Sequence, residues 1–162
     1  MSLSNVTSEG QFVLLDGDGV DGYDTIEWLA GLPYCDGSVG TQGTSLRAWN
    51  QNAAALERPP HLKAMWVNQG GSNGNLNALR HNGALELRWL TWAVTYSVVA
   101  KEARADPALQ RTQIDNAERM YEWLERLPWK VGDSPLAGIP GWEKWATDLY
   151  THGDADSFWD NP

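Results

Sequence analysis

Residues 38–56 read SVGTQGTSLRAWNQNAAAL, and the rest of the chain is interpreted outward from this stretch. A segment that can form a strand leads to Gly43, Ser45 follows two residues later, and an alanine-rich run of good helix formers comes next. A strand, a tight turn with a serine at its tip and a helix are the layout of a nucleophile elbow. The stretch therefore predicts that Ser45 lies at the tip of such a turn.

An elbow of this kind requires small neighbours, because the strand and the helix nearly touch beside the serine. Gly43 and Ala48 are small enough to meet that requirement. The start of the helix offers free backbone N–H groups and a positive dipole end to a developing oxyanion. The usual glycine two residues after the serine is replaced by Arg47, and serine is also a common helix cap. From these residues alone, Ser45 is interpreted either as a nucleophile or as an N-cap.

Composition narrows the class of protein. At 162 residues the chain is one ordinary domain, large enough for a sizeable core. Its formal net charge of −9 argues against nucleic acid or an anionic membrane surface as a partner. The single cysteine, Cys35, excludes an internal disulfide, and no apolar run is long enough to span a membrane. We therefore expect a cytoplasmic protein.

The stretch before the elbow is predicted to supply a strand or a buried loop, followed by a helix. Residues 12–15 are a short apolar run, and the acidic, glycine-rich residues 16–22 follow. Counted from Asp16, the carboxylates of Asp18 and Glu27 faintly resemble a calcium loop, but Val20 occupies a ligand position. The alternative is a plain acidic loop, with Glu27 in a helix capped by Asp24.

After the elbow, residues 62–67 are predicted to form a second, buried parallel strand, because their apolar residues do not alternate. The order helix, strand, helix, strand is typical of a doubly wound α/β sheet. Residues 68–77 are a glycine- and asparagine-rich loop without the lysine–serine pair of a phosphate cradle. Helices are then predicted over residues 78–105, 107–126 and 141–151, and Asp106 is predicted to cap the second of them, with Pro107 at its first position. The chain is therefore predicted to have two parts, a partial sheet in residues 1–70 and a mainly helical region in residues 71–162.

Ten tryptophans are the compositional oddity of the chain. Leu85, Trp89, Trp92 and Tyr96 are spaced three or four residues apart, which indicates one apolar helix stripe used for packing. The alternative is a carbohydrate-binding surface, which predicts several tryptophans exposed on one face of the protein.

The segment before the elbow resembles a known family. It combines residues 22–30 (GYDTIEWLA), Pro33 and residues 35–40 (CDGSVG), which lead without a gap into the glycine-x-serine elbow. This arrangement is similar to that of the α/β-hydrolases of the X-Pro dipeptidyl-peptidase and cocaine esterase group. The alanine-rich helix, the strand that begins at Leu62, residues 8–10 and residues 158–159 also resemble landmarks of that family. The resemblance implies a partial α/β-hydrolase sheet with few parallel strands, followed by a helical cap.

The resemblance also implies acyl transfer, in which Ser45 attacks an ester or amide carbonyl. The backbone N–H of Leu46, where the family often has a tyrosine, would serve the oxyanion hole, and Gly43 and Ala48 would provide the elbow packing. The family places its catalytic aspartate and histidine beyond the cap, so neither is identified in this chain. The three histidines, His61, His81 and His152, are each predicted to be surface or capping residues.

We therefore expect a piece of a serine hydrolase that acts on a small ester or peptide, with no metal and no cofactor. Because the implied triad partners are not identified here, we expect little or no activity from these 162 residues alone. The alternative is a non-catalytic binding module that retains the scaffold and covers exposed apolar surface as a homo-oligomer.

Overall fold

The computed structural model describes residues 17–160. The α/β part comprises α1 (Asp18–Ala30), β1 (Val39–Thr44), α2 (Leu46–Leu56) and β2 (Leu62–Asn68). The helical part begins with a short hairpin of β3 (Arg80–His81) and β4 (Ala84–Leu85). It continues with α3 (Leu87–Ser97), α4 (Lys101–Ala105), α5 (Pro107–Glu118), α6 (Met120–Leu124), α7 (Pro140–Thr151) and a final 3₁₀ turn, Ser157–Asp160.

Strands β1 and β2 are parallel; their register shifts by one residue between Val39 and Gly40 and is regular from there on, so that Thr41 pairs with Met65 and Thr44 with Asn68. Helix α2 connects them, as the predicted strand–helix–strand order requires. Side chains alternate between the two faces of a strand. Val39 packs with Ile26 and Ala54 on the face covered by the helices, so Gln42 and Trp66 occupy the opposite face.

That opposite face is uncovered within residues 17–160, and the prediction of a buried β2 is therefore wrong. Ala64, Trp66 and Asn68 are all exposed there, and Trp66 exposes 72% of its surface. The continuous apolar run indicated the parallel pairing correctly. The same run could not reveal whether other segments cover this face of the sheet, and none of residues 17–160 does.

Helix α1 begins at Asp18 rather than at Asp24, and Gly17 precedes it with a φ of 76°. Residues 18–22 are therefore helical, which rules out the calcium-loop interpretation for them; Asp16 lies outside the described residues. The helix packs closely on α2, because a Cβ at Gly22 would lie 2.5 Å from the Cβ of Ala54. The apolar run of residues 12–15 and the family landmark at residues 8–10 also fall outside the described residues.

The single helix predicted over residues 78–105 is wrong in its first and last turns. Asn82 and Gly83 have φ values of 49° and 85° and form the tight turn between β3 and β4, as this dipeptide commonly does. At the other end, Ala100 adopts an extended backbone and separates α3 from α4. Leu85 consequently lies in β4, whereas Trp89, Trp92 and Tyr96 share α3.

The later helices largely follow the prediction. The Asp106 side chain caps α5 by accepting hydrogen bonds from the backbone N–H groups of Ala108 and Leu109. Arg119 interrupts the helix predicted over residues 107–126 and divides it into α5 and α6. Helix α7 begins at Pro140, next to the predicted start.

The helical part has a large apolar core that is rich in tryptophan. Trp92 stacks on Tyr96 and on Trp142, with ring centroids 4.7 and 5.4 Å apart, which confirms the packing role of the stripe. The two exposed tryptophans, Trp28 and Trp66, lie on α1 and on the uncovered sheet face, which is opposite to α1. The carbohydrate surface expected as an alternative is therefore contradicted. The buried core residues are Leu79, Leu90, Ala93, Val94, Ala100, Ala103, Trp129, Leu136, Ile139, Trp142, Trp145, Ala146, Leu149 and Trp159.

Candidate active site

Ser45 joins the end of β1 to the start of α2 and is exposed to solvent. Its φ of 62° and ψ of −125° lie in a region that residues with a Cβ rarely adopt. Such a backbone costs about 1–3 kcal/mol and persists only where the surrounding structure enforces it. The turn therefore has the strained geometry of a nucleophile elbow.

Backbone hydrogen bonds hold the strained residue on both sides. The Ser45 N–H donates to the carbonyl of Asn68 at 3.1 Å, which ties the turn to the end of β2. The Ser45 carbonyl accepts from the N–H groups of Ala48 and Trp49 at 2.9 and 3.0 Å. Ser45 occupies the N-cap position of α2, as the alternative interpretation expected, but its side chain makes no capping hydrogen bond to the helix.

Small residues around the turn allow the strand and the helix to approach. A Cβ at Gly43 would lie 2.6 Å from the Cβ of Arg47 and 2.9 Å from its carbonyl oxygen. Ala48 is fully buried, and a Cβ at Gly70 would lie 2.7 Å from the Ala48 Cβ. The sequence indicated Gly43 and Ala48. It gave no position-specific signal for Gly70, which is one of several glycines in its loop.

The first turn of α2 provides hydrogen-bond donors beside Ser45. Within residues 17–160, the backbone N–H groups of Leu46 and Arg47 have no acceptor, as is usual at the start of a helix. The positive end of the helix dipole lies at the same place. An oxyanion that forms next to Ser45 would therefore meet both a donor and a favourable field.

A buried glutamine that the sequence analysis missed joins this helix to both strands. Gln51 is 6% exposed, and its side-chain oxygen accepts a hydrogen bond from the Thr41 hydroxyl of β1 at 2.9 Å. Its amide nitrogen donates to the carbonyl of Trp66 in β2 at 3.3 Å and to that of Arg47 at 3.0 Å. The only sequence signal would have been a polar residue on the helix face that packs against the sheet.

None of the three histidines makes a hydrogen bond to Ser45. His61 precedes β2, at the opposite end of the sheet from Ser45, about 20 Å away at the usual rise of a strand. Its ring nitrogen Nδ1 lies 2.7 Å from Oε2 of Glu27. Partial desolvation raises the pKa of the Glu27 carboxyl. The hydrogen bonds and charge of His61 outweigh that effect, so the pKa lies below its ordinary value.

The other two histidines also pair with carboxylates close to them in the sequence. His81 pairs with Glu86, and His152 places Nδ1 2.7 Å from Oδ2 of Asp156 while its ring stacks on Phe158. The His152 hydrogen bond is the main cause that holds the pKa of Asp156 below its ordinary value. These contacts agree with the prediction that the histidines are surface residues.

The described part of the chain contains no cluster of three or more histidine, cysteine, aspartate or glutamate side chains arranged to hold a metal ion. None of the helices described is both long and apolar enough to cross a bilayer. The arrangement around Ser45 offers an exposed hydroxyl, backbone N–H donors and the positive end of a helix dipole. Within residues 17–160, no histidine or carboxylate that could accept the proton is hydrogen-bonded to the Ser45 hydroxyl.

Comparison with known proteins agrees with this geometry. The sequence model of the X-Pro dipeptidyl-peptidase (S15) family matches residues 2–162, which is almost the whole chain. A search of curated proteins finds none that matches. The partial α/β fold fits the matched family. The chain therefore belongs to the X-Pro dipeptidyl-peptidase (S15) family, a family of the serine hydrolase and peptidase type.

Proposed function

We propose that Ser45 is the nucleophile of a serine hydrolase that acts on acyl esters or on X-Pro peptides, and that the protein works in the cytoplasm. The observation that carries the proposal is the strained backbone of Ser45, an exposed serine held with a φ of 62° between a parallel strand and a helix. Strain of this kind is retained where a site depends on it. Membership of the family supports the same role.

The proposed reaction proceeds through an acyl-enzyme. The Ser45 hydroxyl attacks the carbonyl carbon and transfers its proton to a general base. The bond from that carbon to the leaving oxygen or nitrogen then breaks, and the leaving group takes a proton from the protonated base. The Leu46 N–H and the α2 dipole stabilise the negative oxygen of the tetrahedral intermediate. Attack by water on the acyl-enzyme regenerates the serine.

The base is the missing component within residues 17–160, because His61, His81 and His152 are engaged with carboxylates elsewhere. We therefore expect a slow reaction from this chain alone. The N–H donors would still favour Ser45, since an oxyanion hole retains a part of the rate enhancement when the triad is removed.

A fluorophosphonate probe tests this proposal, with the labelled serines identified by mass spectrometry. Ser38, which is exposed just before the same strand, is the matched control. We expect Ser45 to react at least about tenfold faster than Ser38, since only Ser45 has the adjacent donors. Labelling should disappear in Ser45→Ala and persist in Ser38→Ala. Equal labelling of the two serines would contradict the proposal.

A second candidate function is a non-catalytic module that associates with a second copy of itself. The uncovered sheet face favours it, because Trp66 and Val67 are exposed large apolar residues at consecutive positions of β2, with Trp66 on that face. An exposed, parallel two-stranded sheet is also open to further strand pairing.

Sedimentation velocity over a range of concentrations tests self-association. We expect a dimer that Trp66→Lys shifts to a monomer. The control Trp28→Lys, which changes the other exposed tryptophan on α1, should leave the dimer intact. A chain that is monomeric at all concentrations would eliminate this candidate.

A further inference from the structure

We infer that Gln51 is a positioning residue that maintains the strained conformation of Ser45. The inference rests on the proposed function, because that conformation matters to a reaction only if Ser45 is the nucleophile. It assigns a role to a side chain that does not touch the reacting atoms, and it derives from the contacts of one buried amide.

Both the carbonyl oxygen and the amide nitrogen of the Gln51 side chain make hydrogen bonds where α2 packs against the sheet. The side chain contacts β1 through Thr41, β2 through the Trp66 carbonyl and its own helix through the Arg47 carbonyl. The helix cannot slide or rotate on the sheet without breaking these bonds. Breaking them is costly, because a buried amide left without partners destabilises the folded state. Gln51 therefore fixes the register of α2 on both strands that flank the elbow.

That register determines the shape of the turn. The first turn of α2 presses against β1 at Gly43, where there is no space for even a Cβ beside Arg47. Because the end of β1 and the start of α2 are held this close, Ser45 alone has to turn the chain from the strand into the helix. The φ and ψ of Ser45 are the result. If α2 moved outward, Ser45 would relax toward a common backbone conformation.

The buried apolar residues nearby do not fix this register as specifically. The other buried residues of α2 are Ala48, Ala53 and Ala54, whose small side chains offer little shape for interlocking, and Trp49, whose ring lies against Gly71 in the loop after β2. Directional hydrogen bonds specify one arrangement where small apolar groups permit several. The amide thus supplies the specificity that the alanines lack.

A thermal double-mutant cycle tests the inference without using the chemistry of Ser45. Glycine adopts the conformation of Ser45 without strain, whereas alanine retains the Cβ. In the otherwise unchanged protein we expect Ser45→Gly to melt about 3 °C above Ser45→Ala. With Gln51→Met added, Ser45 can relax, and we expect this difference to fall below about 1 °C.

The matched control is Gln113→Met, which removes a fully buried glutamine of α5 that bonds Ser97 and Ala137. It should lower the melting temperature but leave the glycine–alanine difference at its full size. If Gln51→Met does not fold, Thr41→Val removes one of the three hydrogen bonds and should reduce the difference in part. A difference that stays unchanged in Gln51→Met, or in Thr41→Val when that variant replaces it, would overturn the inference.

Labelling kinetics separate this inference from the proposed function. In Gln51→Met we expect the maximal rate of fluorophosphonate labelling at Ser45 to fall about tenfold, while the probe concentration at half-maximal rate is unchanged. If Ser45 does not label preferentially in the unchanged protein, the proposed function fails, yet the thermal cycle still decides whether Gln51 holds the strain.

Discussion

The α/β part and the helical part are held together in different ways. Among residues 17–160, the buried apolar cluster around Ile26 in the α/β part contains three residues, whereas the cluster of the helical part contains fourteen. The α/β part instead depends on positions where a side chain is absent, such as Gly43, and on the polar contacts of Gln51. Removing atoms should therefore harm the helical part most, and adding atoms should harm the α/β part most.

The largest expected effect comes from Leu149→Ala in α7. Leu149 is fully buried in the large cluster, so the truncation leaves a cavity that costs about 2–5 kcal/mol of unfolding free energy. Urea unfolding measures the loss. The control is Leu56→Ala on the exposed end of α2, which should change the free energy by less than about 0.5 kcal/mol. Similar losses in the two variants would break the comparison.

Gly43→Ala should have the next largest effect, from the addition of one methyl group. The new Cβ would meet the Cβ and carbonyl of Arg47, which are part of the helix and cannot turn away, so about 1–3 kcal/mol is lost. We expect labelling of Ser45 to fall as well, because α2 must move.

The matched control for that methyl is Gly40→Ala, on the uncovered face of the same strand. Its nearest neighbour would be the Ala64 carbonyl at 3.8 Å, an ordinary contact. Chemical unfolding and labelling of both variants should show a change in Gly43→Ala alone. If Gly40→Ala were equally damaging, close approach at the elbow would not be what distinguishes the α/β part.

A smaller effect is expected from Asp106→Ala at the start of α5. The substitution removes the hydrogen bonds to the N–H groups of Ala108 and Leu109 and should cost about 1 kcal/mol. Asp115→Ala, within the same helix, removes a similar charge without removing a cap. Thermal unfolding of the pair measures the difference, and an equal loss in both would show that charge, rather than capping, is responsible.

The smallest effect is expected from Glu27→Gln, which tests the ion pair with His61 in the α/β part. Because the contacts with His61 hold the folded-state pKa of Glu27 below the ordinary pKa of the unfolded chain, the stabilisation is fully present above that ordinary pKa and is lost as the pH falls through the folded-state pKa. The variant should melt about 1 °C lower near pH 6 and by a smaller amount near pH 3, where more of the Glu27 carboxyl is protonated.

The pH series needs a second carboxylate for comparison. Glu125→Gln, on the exposed surface of the helical part, should leave the dependence of melting temperature on pH unaltered. If Glu27→Gln lowered the melting temperature equally at both pH values, the effect would come from packing and not from the ionised pair.

The sequence predicted those features that depend on local chemistry. The elbow, the parallel pairing of β1 with β2 and the Asp106 cap are each encoded by a few adjacent residues, and all three are present. The start of α1 was missed because its cap is Gly17, which contributes backbone freedom and no side-chain signal. The hairpin at Asn82 does not follow from the sequence pattern, because the apolar spacing around it also fits a helix.

The features that could not be predicted depend on residues far apart in the sequence. In the sequence, Gln51 is indistinguishable from a glutamine on the exposed surface of a helix, and only its contacts with Thr41 and Trp66 distinguish it. Likewise, the exposure of β2 depends on whether other segments cover it. The role of Ser45 as a nucleophile stays a prediction, because backbone geometry does not reveal whether a base reaches it.

The exposed indole of Trp66 has an optical consequence. An indole in water fluoresces at longer wavelength than one enclosed by protein, and most of the other tryptophans of this chain are wholly or partly enclosed. The difference spectrum between the unchanged protein and Trp66→Phe should therefore isolate a red-shifted component from this face of the sheet. Any polypeptide that covers this face of the sheet would shift that component to shorter wavelength. Trp66 fluorescence would therefore report whether the face is covered.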